Sequence, residues 1–426
     1  MAAGNKVVVV GAGPTGLLIA LGLAQAGAEV TVIDREEGVL RSPRAMVYLP
    51  STLKVLDDVG VLEDAKRIGA FGYRFTQHFL LSGQKGGLDF HDLEGVTPYS
   101  YILHFGQDEL ADLILERLIT LPNVAIRWTT AFQGFSQSAD KVQVQLERDG
   151  CEELLEADWL IGCDGAGSSV RKAMGVQFEG FTWDEVFMAT NVIYDFKQFD
   201  YADNNMVADP EDWRVVAKIN DDGLWRVAYG ESKELTEEQR RARISERFKR
   251  ILPNANEPYE LVLANSYRVH QRSAETYRSG RVLLAGDAAH ATNPIGGLGL
   301  TSGVQDAALL INCLSALFHN QAADDALDWY AYERRRCFVE IASPTAIELK
   351  RRLQEREPAK RRADEAGFFA MLGNPDYKRK AMLSTFDLAG RPYREDWRQS
   401  YVAEDLRNPN GIVSGHGGVT IVKAGE

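Results

Sequence analysis

Residues 6–16 read Lys6-Val7-Val8-Val9-Val10-Gly11-Ala12-Gly13-Pro14-Thr15-Gly16. An unbroken valine run followed by glycines spaced G-x-G-x-x-G predicts a parallel strand, covered on both faces, that turns tightly into a helix. The helix is expected over residues 17–26, ended by Gly27, and a second strand over 30–33 closes on Asp34. Together these make a βαβ unit. Gly11 permits the turn, Gly13 leaves the backbone open to a pyrophosphate, and Gly16 lets the helix lie close on the strand. The helix N-terminus offers unpaired N–H groups and the positive end of its dipole to phosphates. Asp34 stands where a carboxylate accepts hydrogen bonds from a ribose. A strand before, a helix after and an acid at that distance indicate dinucleotide binding, but the motif by itself does not separate FAD from NAD.

Two later stretches also end apolar strands in Gly and Asp. Cys163-Asp164-Gly165-Ala166-Gly167-Ser168-Ser169-Val170-Arg171 follows an apolar strand over 159–162. Its plainest reading is an Asp-Gly turn before a helix N-capped by Ser168 or Ser169. Arg281-Val282-Leu283-Leu284-Ala285-Gly286-Asp287-Ala288-Ala289-His290 repeats the buried-strand pattern. Gly286 allows a ligand chain to approach, and Asp287 can accept hydrogen bonds from ribityl hydroxyls. The Gly-rich run Asn293-Pro294-Ile295-Gly296-Gly297-Leu298-Gly299-Leu300-Thr301 then enters a helix expected over 303–318. Backbone N–H donors there suit the pyrimidine edge of a flavin, which gains negative charge on reduction.

In this order and spacing, the three motifs resemble the group A flavoprotein monooxygenases, the aromatic hydroxylases related to p-hydroxybenzoate hydroxylase, over residues 5–345. Runs such as Ser42-Pro43-Arg44-Ala45, Gly180-Phe181-Thr182-Trp183-Asp184-Glu185, Ala189-Thr190-Asn191-Val192 and Tyr267-Arg268-Val269-His270-Gln271-Arg272 are similar to the para-nitrophenol 4-monooxygenase subgroup. The resemblance implies an α/β chain with a Rossmann-type FAD-binding domain built on a parallel sheet, a mostly antiparallel β substrate domain, and C-terminal helices. It implies that Gly11, Gly13, Pro14, Thr15 and Gly16 cradle the FAD pyrophosphate, that Asp34 and Arg35 serve the adenosine end, and that Arg44 contacts the phosphates. Gln107, Gly286 and Asp287 would meet the ribityl chain, and Asp164 would serve both FAD and NAD(P)H. Pro294, Gly297, Gly299, Leu300 and Thr301 would flank the isoalloxazine; many members carry Asn where this chain has Thr301. NAD(P)H would dock transiently, since no second G-x-G-x-x-G exists. Oxygen would then reach a small phenolic ring through a flavin C4a-hydroperoxide. A hydroxypyridine or another phenol remains open as the ring. His270 is the candidate proton relay, with a structural histidine the equal alternative. Tyr229 and Arg226, on one candidate strand, are the other candidates to face the substrate. His290 is expected to shape its loop rather than to catalyse.

The 426 residues suggest two domains and a tail. The FAD-binding domain is expected over 1–72, 98–180 and 271–345, and the substrate domain over 73–97 and 181–270. A C-terminal helical region over 346–404 and a disordered tail over 405–426 complete the layout. Helices are expected over 50–69 and 236–250, and strands over 187–194, 213–219, 224–230 and 261–269. A net charge of −13 without a basic run argues against nucleic acid and anionic membrane as partners. No apolar stretch reaches the 18 or so residues that a membrane helix needs. The first residues carry no basic-then-apolar leader, so a cytoplasmic monomer or homodimer is expected. Four cysteines without C-x-x-C and seven histidines without H-E-x-x-H give no metal site. None of the tryptophans lies in the W-x-W-x-I-P run of the flavin halogenases, and no anchor of the prenyl-reductase kind is visible. A non-enzymatic flavin or NAD sensor would need the first motif alone.

Overall fold

The computed structural model describes residues 4–41 and 45–402, so Arg44 and the expected tail over 405–426 lie outside the described residues. The valine run is a central strand of a six-stranded sheet. Its order is Arg278–Ser279, Val282–Leu284, Trp159–Gly162, Lys6–Val10, Glu29–Ile33 and Val124–Arg127. Every pairing is parallel except the outermost one, Arg278–Ser279 with Val282–Leu284. Val7, Val8, Val9 and Val10 are all buried, as expected for a parallel strand covered on both faces. All three motifs therefore sit at the carboxyl ends of adjacent strands of one sheet, where ligands of open α/β sheets bind.

The second sheet has eight strands in the order His290–Ala291, Glu260–Ala274, Phe178–Ile193, Leu224–Ser232, Arg214–Lys218, Asn204–Ala208, Arg74–Phe79 and Gln84–Asp89. Its pairings are antiparallel except Asn204–Ala208 with Arg74–Phe79. The mixed α/β architecture with C-terminal helices is as expected. Several strands run longer than their apolar cores suggested, Phe178–Ile193 and Glu260–Ala274 above all.

Two expected helices are each broken. Residues 50–69 form Pro50–Asp58 and Leu62–Ile68, parted at Gly60, whose φ is +78°. Residues 236–250 form Glu237–Ala242, capped by the Thr236 hydroxyl, and Ile244–Ile251. The helix after the third motif begins five residues earlier than expected, as Leu298–Phe318. By length and composition it could cross a membrane, but 61% of its apolar window is buried inside the protein, against Pro14–Gln25 and Asp325–Arg336. The C-terminal helices dock on the second sheet through Lys350, which pairs with Glu185 and lies 4.2 Å over the Trp183 ring. Cys313 and Cys337 are buried as small hydrophobes; Cys151 instead is exposed on a sheet edge.

Candidate active site

One cavity of about 2850 Å3 runs from the first glycine loop to the inner face of the eight-stranded sheet. That is several times a single small-ligand pocket, and it has room for a dinucleotide and a second molecule beside it. Gly11, Gly13, Pro14, Thr15, Asp34, Arg35, Gln107, Asp164, Gly286, Asp287, Pro294, Gly297, Gly299 and Leu300 all border it.

The glycine loop has the shape of a cradle. A Cβ added at Gly13 would meet nothing within 4 Å, so the backbone faces open space, whereas one at Gly16 would strike the Gly11 carbonyl at 2.1 Å. Gly16 thus fixes helix against strand and does not itself border the cavity. The helices Pro14–Gln25 and Leu298–Phe318 both begin at the cavity without a side-chain cap. Their first-turn N–H groups suit phosphate at one end and an electron-rich ring edge at the other. Thr15 joins the loops: a Cβ on Gly286 would meet its Oγ1 at 2.9 Å, and one on Gly303 at 2.7 Å. Asp34 accepts from the Ala12 N–H at 2.7 Å and the Glu36 N–H at 2.9 Å, which holds the end of the second strand against the glycine loop.

Asp164 lies in the turn before a helix N-capped by Ser168, as the plainest reading expects, and it also borders the cavity. Its Oδ2 accepts from the N–H groups of Ser169 at 2.6 Å and Val170 at 3.2 Å, and its Oδ1 from the Ser168 hydroxyl at 2.5 Å. Asp287 is placed differently. It is exposed within the otherwise buried run from Val282 to Ala291, and it borders the cavity.

The support beneath these loops was not visible in the sequence. Arg171, buried and stacked 3.7 Å over Phe178, donates to the Ala166 and Ala288 carbonyls at 2.7 Å each, tying the second motif to the third. Asp306 accepts from the Gly286 N–H at 2.9 Å, from His290 Nε2 at 2.7 Å and from Arg334 Nε at 2.7 Å, and all three side chains are fully buried. His290 therefore shapes the loop, as expected. Gln271 accepts from the backbone and side-chain nitrogens of Asn293 at 3.3 Å and donates to the Ser343 hydroxyl at 2.8 Å, which fixes the approach to Pro294.

Two expected contacts are corrected. Thr301 turns away from the cavity: it is 1% exposed and its hydroxyl donates to the Gly297 carbonyl at 2.9 Å, one turn back in its own helix. Tyr229 cannot share a face with Arg226, because the two lie three residues apart on the strand Leu224–Ser232 and side chains alternate. Arg226 and Ala228 border the cavity, whereas Tyr229 packs against Phe248 in a core on the other face. The same alternation qualifies His270. Val269 and Gln271 are buried inward, and His270 stands at the cavity rim in a half-exposed stripe with Arg268 and Arg272. Its Nδ1 lies 2.9 Å from the Thr182 hydroxyl, and partial burial with the two guanidinium groups lowers its pKa, which favours the neutral ring.

A cradle at Gly13, two uncapped helix starts and a carboxylate bordering the same cavity suit a bound dinucleotide, with a second compartment against a β-sheet. The family described as FAD binding domain matches residues 5–343, and the chain belongs to that family, in its branch of group A flavoprotein aromatic hydroxylases. It is 44% identical over 393 residues to a para-nitrophenol 4-monooxygenase of Pseudomonas sp. (strain WBC-3), covering 91% of this chain and 96% of that one. It is 40% identical to 6-hydroxy-3-succinoylpyridine 3-monooxygenase of Pseudomonas putida (strain DSM 28022 / S16), covering 84% of this chain and 92% of that one. The crystal structure of p-nitrophenol 4-monooxygenase from Pseudomonas putida DLL-E4 superposes with a TM-score of 0.88 at 42% identity, over 92% of this chain and 100% of that one. The protein is an FAD-dependent aromatic monooxygenase.

Proposed function

We propose that this monooxygenase acts in the cytoplasm on a small para-substituted phenol, with para-nitrophenol as the first substrate to test. The observation that carries the reading is Asp287, an exposed carboxylate that borders a cavity continuing to the inner face of the eight-stranded sheet. Bound FAD supplies hydride acceptance from NAD(P)H and delivery of activated oxygen to the ring. The chain's own residues hold and orient. Gly13 and the start of Pro14–Gln25 take the pyrophosphate, with Asp34 and Arg35 at the adenosine end. Gln107 and Asp287 take the ribityl chain with Asp164 nearby, and the Pro294 loop with Gly297, Gly299 and Leu300 flanks the ring system.

For para-nitrophenol the balance is one NAD(P)H and one O2 consumed, with benzoquinone, nitrite, water and NAD(P)+ formed. NAD(P)H oxidation stimulated by para-nitrophenol with matching nitrite is the expected result. Hydroxylation of a hydroxypyridine without nitrite would move the substrate toward that of the second relative. No stimulation by any phenol or hydroxypyridine would sink the reading.

His270, at the cavity rim, pairs with Thr182, nine residues along Phe178–Ile193 from the Asn191 that pairs with Arg226, so it would reach the phenolic proton only through a relay and not by touching the ring. His270→Ala should slow hydroxylation about tenfold, less than loss of a direct proton-transfer group, and leave flavin reduction by NAD(P)H unchanged in stopped-flow traces. Equal slowing of both half-reactions removes this role.

A further inference from the structure

The cavity face of the eight-stranded sheet carries a row fixed by strand register. Arg226 lies opposite Ala217, Ala217 opposite Asn204, and Asn204 opposite Phe75. Residues paired across strands share a face, and these four border the cavity. In the adjoining row Ala189, Ala228, Val215 and Met206 pair in turn, and all border it. With strands about 4.8 Å apart, Arg226 and Asn204 rise about 10 Å from each other over Ala217, with Ala228 and Ala189 alongside. The three methyl groups leave a low floor, walled on one side by Val215 and Met206, that suits one flat ring.

Both flanking side chains are held from outside that floor. Arg226 Nε donates to Asn191 Oδ1 at 2.8 Å. Asn204 Nδ2 lies 3.1 Å from Nε2 of the buried His104. Burial pushes His104 down to about 4, so its ring is neutral, and with the proton on Nδ1 its Nε2 accepts from the amide. One N–H of the amide is thereby engaged, and Oδ1 remains as an acceptor for a ligand.

We propose that Arg226 and Asn204 determine specificity by holding a single aromatic ring end to end over Ala217. The ring's O–H donates to Asn204 Oδ1, and the Arg226 guanidinium takes an acceptor substituent para to it, a nitro group being the fitting case. The inference rests on the phenol reading above. It places the departing group as well: when the ring C–N bond breaks, its electron pair leaves with nitrite beside the guanidinium.

The test is ligand binding to the FAD-loaded enzyme, read by perturbation of flavin absorbance without NAD(P)H, so it needs no turnover. Para-nitrophenol is compared with para-cresol, which lacks the acceptor, and with 4-nitroanisole, which lacks the O–H. Wild type should prefer para-nitrophenol over both. Arg226→Gln should weaken para-nitrophenol by about ten- to a hundredfold and erase its advantage over para-cresol but not over 4-nitroanisole. Arg226→Lys should restore part of that advantage. Asn204→Ala should do the converse of Arg226→Gln, with a loss of about three- to tenfold. Ala217→Leu should block all three ligands while FAD content stays at wild-type level. Preferences that survive in both variants, or a uniform loss toward every ligand, overturn the clamp, and so does a wild-type flavin that responds to none of them. Binding in the expected pattern without nitrite formation leaves the clamp standing and removes the proposed activity instead.

Discussion

Asp287→Ala should come through purification folded and without its flavin. The carboxylate is exposed and borders the cavity while its neighbours from Val282 to Ala291 are buried, so truncation removes little packing and spares the strand beneath. What it removes is an acceptor for ligand hydroxyls. Hydrogen bonds to a charged group contribute about 1.5–3 kcal/mol, which corresponds to a loss of about ten- to a hundredfold in FAD affinity. The flavin-to-protein absorbance ratio after gel filtration reads the effect, and circular dichroism reports the fold. Asp287→Asn, which keeps one acceptor oxygen, should retain an intermediate share of FAD. Stoichiometric FAD on the alanine variant would mean that this loop does not hold the cofactor.

How far the sequence reached depended on whether the cause was local. The first motif was readable because its glycines act on their immediate neighbours: Gly11 adopts φ +108° at the turn and Gly16 meets the Gly11 carbonyl. The break at Gly60 was also local, and a helix period read straight through it. Asp164 resisted a single reading because its carboxylate caps a helix and borders the cavity at the same time. Arg226 and Tyr229 could have been separated by strand alternation alone, given which face is inward. Asn204 and the three alanines were out of reach. Alanine carries no chemical signal, and their significance comes from register among residues 9 to 129 apart in sequence, as with Arg226 beside Ala217 and Asn204 beside Phe75. The brackets under the loops belong to the same class: Arg171 unites two motifs that the chain separates, and Asp306 and Arg334 lie on later helices.

Asp306→Asn should cost more stability than any change at the cavity surface. Asp306 is fully buried, and its charge is held by Arg334 and His290, which keep its carboxyl below the usual range against the pull of burial. Neutralising it leaves the Arg334 guanidinium buried without its carboxylate, although the Ser302 and Leu388 carbonyls remain as acceptors. Removing one partner of a buried pair typically costs about 3–5 kcal/mol. The expected result is a large fall in the thermal midpoint, together with loss of FAD, because the Gly286 N–H and His290 both rely on the same Oδ2. The two effects can be separated. Asp306→Leu with Arg334→Met removes both charges, and replacing a buried pair by apolar residues is often neutral for stability. That double variant should regain much of the midpoint and still bind FAD weakly, since nothing then fixes the Gly286 turn. A single variant that keeps the wild-type midpoint would show that the network is not holding the fold. A double variant with full FAD affinity would show that the Gly286 loop keeps its shape without Asp306.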